Sequence, residues 1–251
     1  MTYCVAMRLA EGLVFASDSR TNAGVDHIAT FRKLNVFHQP AERLLIIQSA
    51  GNLATTQSVL SLLRQRCHEE KLNLMNVGSM YDAATLVGAT VREVIDRDGG
   101  QQQGNINFGC NLLLGGQIRG SEHRLFHIYP EGNFIEATED TPYFQIGESK
   151  YGKPIIDRVL TYKSTLEQAT QCALISMDST LRSNLSVGLP LDLMVYPKES
   201  FSADAQYRIT ERHPHFQLLR HAWSEGLISL FEQLPPLQLD IEATSQNRDS
   251  N

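Results

Sequence analysis

The chain opens MTYCVAMRLAEGLVFASDSR, with a threonine directly behind the first methionine. Removal of that methionine would give Thr2 two reactive groups, an Oγ nucleophile and an α-amine. The amine ordinarily titrates at about 7.7–8.0, low enough to act as a base near neutral pH. Such a nucleophile needs no histidine. It needs a nearby cation to keep the amine neutral and a rigid strand to hold the geometry. Two charged residues suit that role, Asp18 within Ala16-Ser17-Asp18-Ser19 and Lys33 within Phe31-Arg32-Lys33-Leu34. A lysine beside the amine lowers its pKa by like-charge repulsion, and a buried carboxylate orients the lysine. Gly51, within Ser49-Ala50-Gly51-Asn52, offers a backbone N–H where an oxyanion could be held. Singly, each has an ordinary explanation: a turn aspartate, a solvated lysine, a glycine chosen for its conformation. Together, in this order, they form a pattern.

The surrounding sequence supplies the elements to position them. Tyr3, Val5, Met7 and Leu9 alternate with Cys4, Ala6 and Arg8, which is strand periodicity. Ala10-Glu11-Gly12 turns the chain, and residues 13–17 run back. After a polar loop, 33–37 and 44–51 read as a second hairpin. Helical periodicity then covers roughly 52–70 and 81–96, followed by the turn-rich loop 98–105. Segments 108–116, 123–130 and 143–147 are strand-like. A helix begins near Ser149, and Ser164-Thr165-Leu166-Glu167 is a capping box for another reaching about Arg182. Strands are expected at 191–196 and 205–210, and a last helix from Phe216 to Phe231, stopped by Pro235-Pro236. Helix pairs between runs of antiparallel strands predict an α/β fold in which two stacked sheets carry helices outside, a four-layer α/β/β/α sandwich. One domain is expected over 1–240, with a polar, mobile tail over 241–251.

Composition narrows the classes of function. The 251 residues carry a net charge of −6 and no dense Lys/Arg run, which argues against a nucleic-acid surface. No stretch approaches the roughly 18 apolar residues of a membrane helix, and residues 1–20 lack the apolar core of a secretory leader. Cys4, Cys67, Cys110 and Cys172 lie far apart, as expected for reduced thiols. A soluble cytoplasmic protein is expected. His213, His215 and His221 lack a carboxylate at ligand spacing, so neither a metal nor another cofactor is expected.

The sequence resembles a proteasome-type β subunit of the N-terminal-nucleophile hydrolases, most closely the bacterial ancestral-β-subunit group called Anbu. The resemblance spans roughly residues 2–200 and is strongest over 2–55. It implies that Thr2 is nucleophile and terminal base, that Asp18 and Lys33 are its charge partners, and that Gly51 is the oxyanion donor. It places a serine before the third helix, matched by Ser149 in Ile146-Gly147-Glu148-Ser149. It also implies the sandwich fold and an oligomer of stacked subunits. The family carries an Asp-x-x-Ser pair after the fourth helix. Here the stretch reads Ser183-Asn184-Leu185-Ser186, so Ser186 fits the serine while Ser183 stands where the aspartate would be. Asp178 lies on the wrong helical face to substitute.

Three functions follow: a threonine hydrolase of peptide bonds, an amidohydrolase acting on a small or modified amide, and a noncatalytic ring-forming scaffold. Asp18 and Lys33 favour the first two, because a scaffold gains nothing from burying that pair. The apolar stripe Leu218, Leu219, Trp223, Leu227, Ile228 and Phe231 reads as core or subunit interface, suiting self-association into a ring or spiral.

Overall fold

The computed structural model describes residues 2–22, 28–69, 71–99 and 107–236. The expected tail over 241–251 and most of the 98–105 loop lie outside these residues. The chain begins with β1 (Tyr3–Leu9) and β2 (Gly12–Asp18), a hairpin in which Cys4 pairs with Ser17 and Leu9 with Gly12. A short hairpin follows, β3 (Arg20–Asn22) with β4 (Ile28–Thr30), then β5 (Leu34–Gln39) and β6 (Arg43–Gly51). Helices α1 (Leu53–Arg66) and α2 (Met80–Gly99) lead to β7 (Cys110–Ile118), β8 (Arg124–Ile128), β9 (Phe134–Glu136) and β10 (Tyr143–Gly147). The C-terminal part runs through α3 (Lys153–Val159), α4 (Leu166–Ser183), β11 (Leu191–Pro197), β12 (Gln206–Ile209) and α5 (Pro214–Glu232).

The strands form two five-stranded antiparallel sheets, β10-β1-β2-β11-β12 and β5-β6-β7-β8-β9, with β3-β4 a separate pair. Alternation along each strand decides what each face meets. On β2, Val14 and Ala16 join the cluster under α3, α4 and α5, while Leu13 and Phe15 point into the layer between the sheets. On β6, Leu45 and Ile47 pack beneath α1 and α2, while Leu44 and Ile46 face Leu13 and Phe15 across that layer. The result is the expected α/β/β/α sandwich with three apolar seams.

Local readings change: β9 (Phe134–Glu136) pairs with β8 where no strand was expected, and three others differ. The polar stretch after Asp18 contains β3 and β4, whose three-residue strands are too short to show a period. The third helix starts at Lys153 rather than near Ser149, with Pro154 in its first turn, where its missing N–H costs nothing. The capping box is displaced by one residue. Thr165 accepts from Gln168 N and the Gln168 side chain accepts from Thr165 N, while Ser164 Oγ accepts from Thr161 N. Adjacent hydroxyls compete for one cap, and the pair with a reciprocating Gln takes it.

Candidate active site

Thr2 immediately precedes β1 and is half-buried, at the edge of the seam between the two sheets. Its strand is fixed on the helix side by Tyr3, whose buried hydroxyl lies 2.6 Å from Ser176 Oγ of α4 and accepts from Gln145 Nε2 at 2.6 Å. Burial pushes the Tyr3 phenol well above its usual range, so it stays neutral. On the other edge, Thr2 O accepts from Glu148 N at 2.7 Å.

Asp18 ends β2 directly beside this strand. Its Oδ1 accepts from Tyr3 N at 3.0 Å and Lys33 Nζ at 2.6 Å, and its Oδ2 from Arg20 N at 3.2 Å and Gly188 N at 3.3 Å. Lys33 Nζ also donates to Arg20 O at 2.7 Å. The side chains of Asp18 and Lys33 are 0% and 6% exposed, so this is a buried ion pair. Burial raises the Asp18 carboxyl above the usual aspartate range, and the Lys33 ammonium and donated hydrogen bonds pull it back down. An isolated charge at this depth would be strongly disfavoured; each of the two holds the other in place.

Thr2, Lys33, Ser49 and Gly51 line one cavity of about 70 Å³, whose remaining wall includes Phe31, Arg32, Thr56 and Leu60. Arg32, Gln57 and Leu60 also line an adjoining open groove of about 610 Å³ that reaches Arg64 on α1. Gly51 has φ +115, and a Cβ there would lie 2.6 Å from Gly109 O. Only glycine fits this turn, which delivers the chain to Asn52, the side-chain cap on Thr55 N. Cys4, behind Thr2, is fully buried with its Sγ donating to Ser49 O at 3.7 Å. Burial pushes its thiol well above the ordinary range, which disfavours the thiolate a nucleophile needs.

Thr2, Asp18, Lys33 and Gly51 are therefore brought together. The two serines are placed differently. Ser149 lines another cavity, with Lys150, Lys153 and Asp157. Ser186 is half-buried in the loop after α4, with its N–H donating to Asn184 Oδ1 at 2.9 Å. Ser183 is exposed, and Asp178 is held by Arg182 and Arg220, away from Thr2. Sequence reasoning passed over Arg20, whose guanidinium donates to Leu185 O at 2.9 Å, and over Glu148 and Asn184, whose side chains are bonded at 3.0 Å. Glu148 adjoins the serine that drew attention, and a single polar residue in a turn carries no periodicity to mark it.

Among the described residues no three His, Cys, Asp or Glu side chains cluster as metal ligands. His213 instead caps α5, its Nδ1 accepting from Phe216 N at 3.4 Å. None of the described helices is long and apolar enough to cross a membrane.

Residues 2–193 match the family described as proteasome subunit. No curated protein matches the chain. Among solved structures, the chain is similar to Anbu (ancestral beta-subunit) from Yersinia bercovieri, with 72% identity, TM-score 0.91, and coverage of 95% of this chain and 100% of that one. It is similar to a chain of the helical assembly of the Anbu complex from Pseudomonas aeruginosa, with 59% identity, TM-score 0.92, and coverage of 94% and 98%. Anbu from Hyphomicrobium sp. strain MC1 matches at 49% identity and TM-score 0.88, covering 95% and 100%.

Proposed function

The chain belongs to the proteasome subunit family, in its Anbu branch, and from that premise we propose that it is an N-terminal threonine hydrolase of peptide or other amide bonds. The observation that carries this reading is the buried Asp18–Lys33 pair, whose Lys33 lines the same cavity as Thr2 and Gly51.

The chemistry follows from that arrangement. With Met1 removed, the Thr2 α-amine takes the Oγ proton as Oγ attacks the substrate carbonyl carbon, forming a tetrahedral intermediate. Lys33 keeps the amine largely neutral by like-charge repulsion and stabilises the developing negative charge. Asp18 fixes Lys33 and, through Tyr3 N, the strand that carries the nucleophile. Gly51 N–H is assigned to the oxyanion. The ammonium formed on Thr2 then returns its proton to the leaving amine, and an acyl ester remains on Oγ. Water hydrolyses that ester with the same amine as base. Ser186 contributes through its loop, whose Gly188 N–H reaches Asp18. Ser149, which lines a different cavity, is given no step in this scheme. No cofactor enters this scheme.

The enzyme works as a homo-oligomer in this reading. On the last turns of α5, Ile228, Leu230 and Phe231 are 58%, 60% and 75% exposed, an apolar surface expected to be covered by another copy. A relative whose structure is a helical assembly supports an open spiral over a closed ring. A cytoplasmic location suits the four free cysteines.

Hydrolysis of peptide and small-amide substrates by the wild type and by Thr2→Ala tests the reading. Turnover lost in an assembled Thr2→Ala supports it. Unchanged turnover removes Thr2 from the chemistry and favours the scaffold.

A further inference from the structure

Glu148 is 8% exposed, and a carboxylate at that depth needs a counter-charge or a full set of donors. Its Oε2 accepts from Asn184 Nδ2 at 3.0 Å and its Oε1 from Lys150 N at 3.3 Å. Two oxygens offer about four acceptor sites, so half remain open. Among the described residues no lysine, arginine or histidine side chain forms an ion pair with it.

The backbone places this residue beside the nucleophile. The β1–β10 ladder ends where Tyr3 pairs with Gly147, and just beyond it Glu148 N donates to Thr2 O at 2.7 Å. Gly147, with φ +83, lets the two chains approach so closely that a Cβ there would lie 1.9 Å from Thr2 O. Asn184 is 9% exposed and is itself anchored, its Oδ1 accepting from Ser186 N at 2.9 Å. The loop that carries it is tied down by Arg20 Nη1 to Leu185 O at 2.9 Å and by Gly188 N to Asp18 at 3.3 Å.

Resting on the threonine-hydrolase reading, we infer that Glu148, oriented by Asn184, is the carboxylate that accepts a hydrogen bond from the α-amine of processed Thr2. This pair then does the positioning work at the amine for which Ser183 offers no carboxylate. The amine stands between opposing charges. Lys33 disfavours its protonation and Glu148 favours it; Asp18, Arg20, Arg32 and the neighbouring Lys150 complete the charged surroundings. Glu148 thereby steers the amine lone pair toward Oγ and lets the amine take up the proton during attack.

The test titrates the Thr2 amine directly. In the full-length, assembled protein, the free α-amine is methylated with isotope-labelled formaldehyde and followed by NMR against pH. Glu148→Gln keeps shape and removes charge, so the midpoint should fall by roughly one pH unit. Asn184→Leu, which leaves the carboxylate unoriented, should lower it by less. A purely structural pair would lower thermal stability and leave both midpoints where the wild type has them, which overturns the inference. A structure of the processed wild type gives a check independent of variants. Thr2 N within about 3.2 Å of a Glu148 carboxylate oxygen is expected, and a carboxylate turned away overturns the assignment. Wild type that retains Met1 carries its free α-amine on Met1 and only an amide nitrogen on Thr2, which overturns the hydrolase reading with it. A free amine that ignores Glu148 overturns this inference alone.

Discussion

Lys33 Nζ lies 2.6 Å from Asp18 Oδ1, and the same carboxylate oxygen accepts the N–H of Tyr3, the residue that follows the nucleophile. One aspartate thus fixes both the cation and the strand, so Lys33 and Thr2 cannot drift independently. Removing either charge leaves the other buried without a counter-charge.

Lys33→Ala should therefore cost activity and stability together. The Thr2 hydroxyl stays, but its activation goes, and loss of one such electrostatic partner lowers rate by about 10²–10³, or about 2.7–4 kcal/mol. Asp18 becomes an uncompensated buried carboxylate, which costs roughly 3–5 kcal/mol of folding stability. Steady-state kinetics with denaturant unfolding of the same preparation checks both. A variant with wild-type turnover would show that the pair serves only the fold.

The pair was legible in the sequence as residue types in order, not as geometry. Strand periodicity marked β1, β2, β5 and β6, and with them the ends where Thr2, Asp18, Lys33 and Gly51 sit. The contacts that surround the pair were not legible. Arg20 and Gly188 act through backbone and guanidinium contacts that no spacing encodes, since the residues meet only after β11 pairs with β2. The same holds for Glu148 and Asn184, which come from two turns far apart in the chain. The exact cap of α4 was decided by short-range competition among polar side chains, which apolar periodicity does not see.

A pH dependence of stability follows from His123. Its Nε2 lies 2.7 Å from Leu9 O, and burial lowers its pKa below the ordinary histidine value. A base with a depressed folded pKa binds protons more readily when unfolded. Its contribution is intact above about 6.5 and is lost as pH falls below that value toward the folded pKa. His127, also lowered by burial, acts in the same direction. Unfolding free energy should decline on acidification through this window, and His123→Gln should flatten the decline. A wild-type curve flat across the window contradicts it.

Self-association should depend on the end of α5. Phe231 is 75% exposed and Ile228 58%, next to exposed Leu230 and Leu234. Phe231→Glu should dissociate the assembly while leaving the fold intact, because no core contact is removed. Light scattering at micromolar concentration should give a large species for wild type and a small one for the variant. Wild type at the monomer mass of 28.1 kDa would contradict the account.

The central claim is that Thr2, freed of Met1, is the nucleophile. The most direct measurement is mass spectrometry of the protein after exposure to a threonine-directed electrophile, with the adduct mapped to its residue. The account predicts an intact mass lacking one methionine, an adduct on Thr2 in wild type and no adduct in Thr2→Ala. An adduct on Cys4 would move the nucleophile to a thiol. A homogeneous preparation retaining Met1 that still turned over substrate would contradict the terminal-amine mechanism outright.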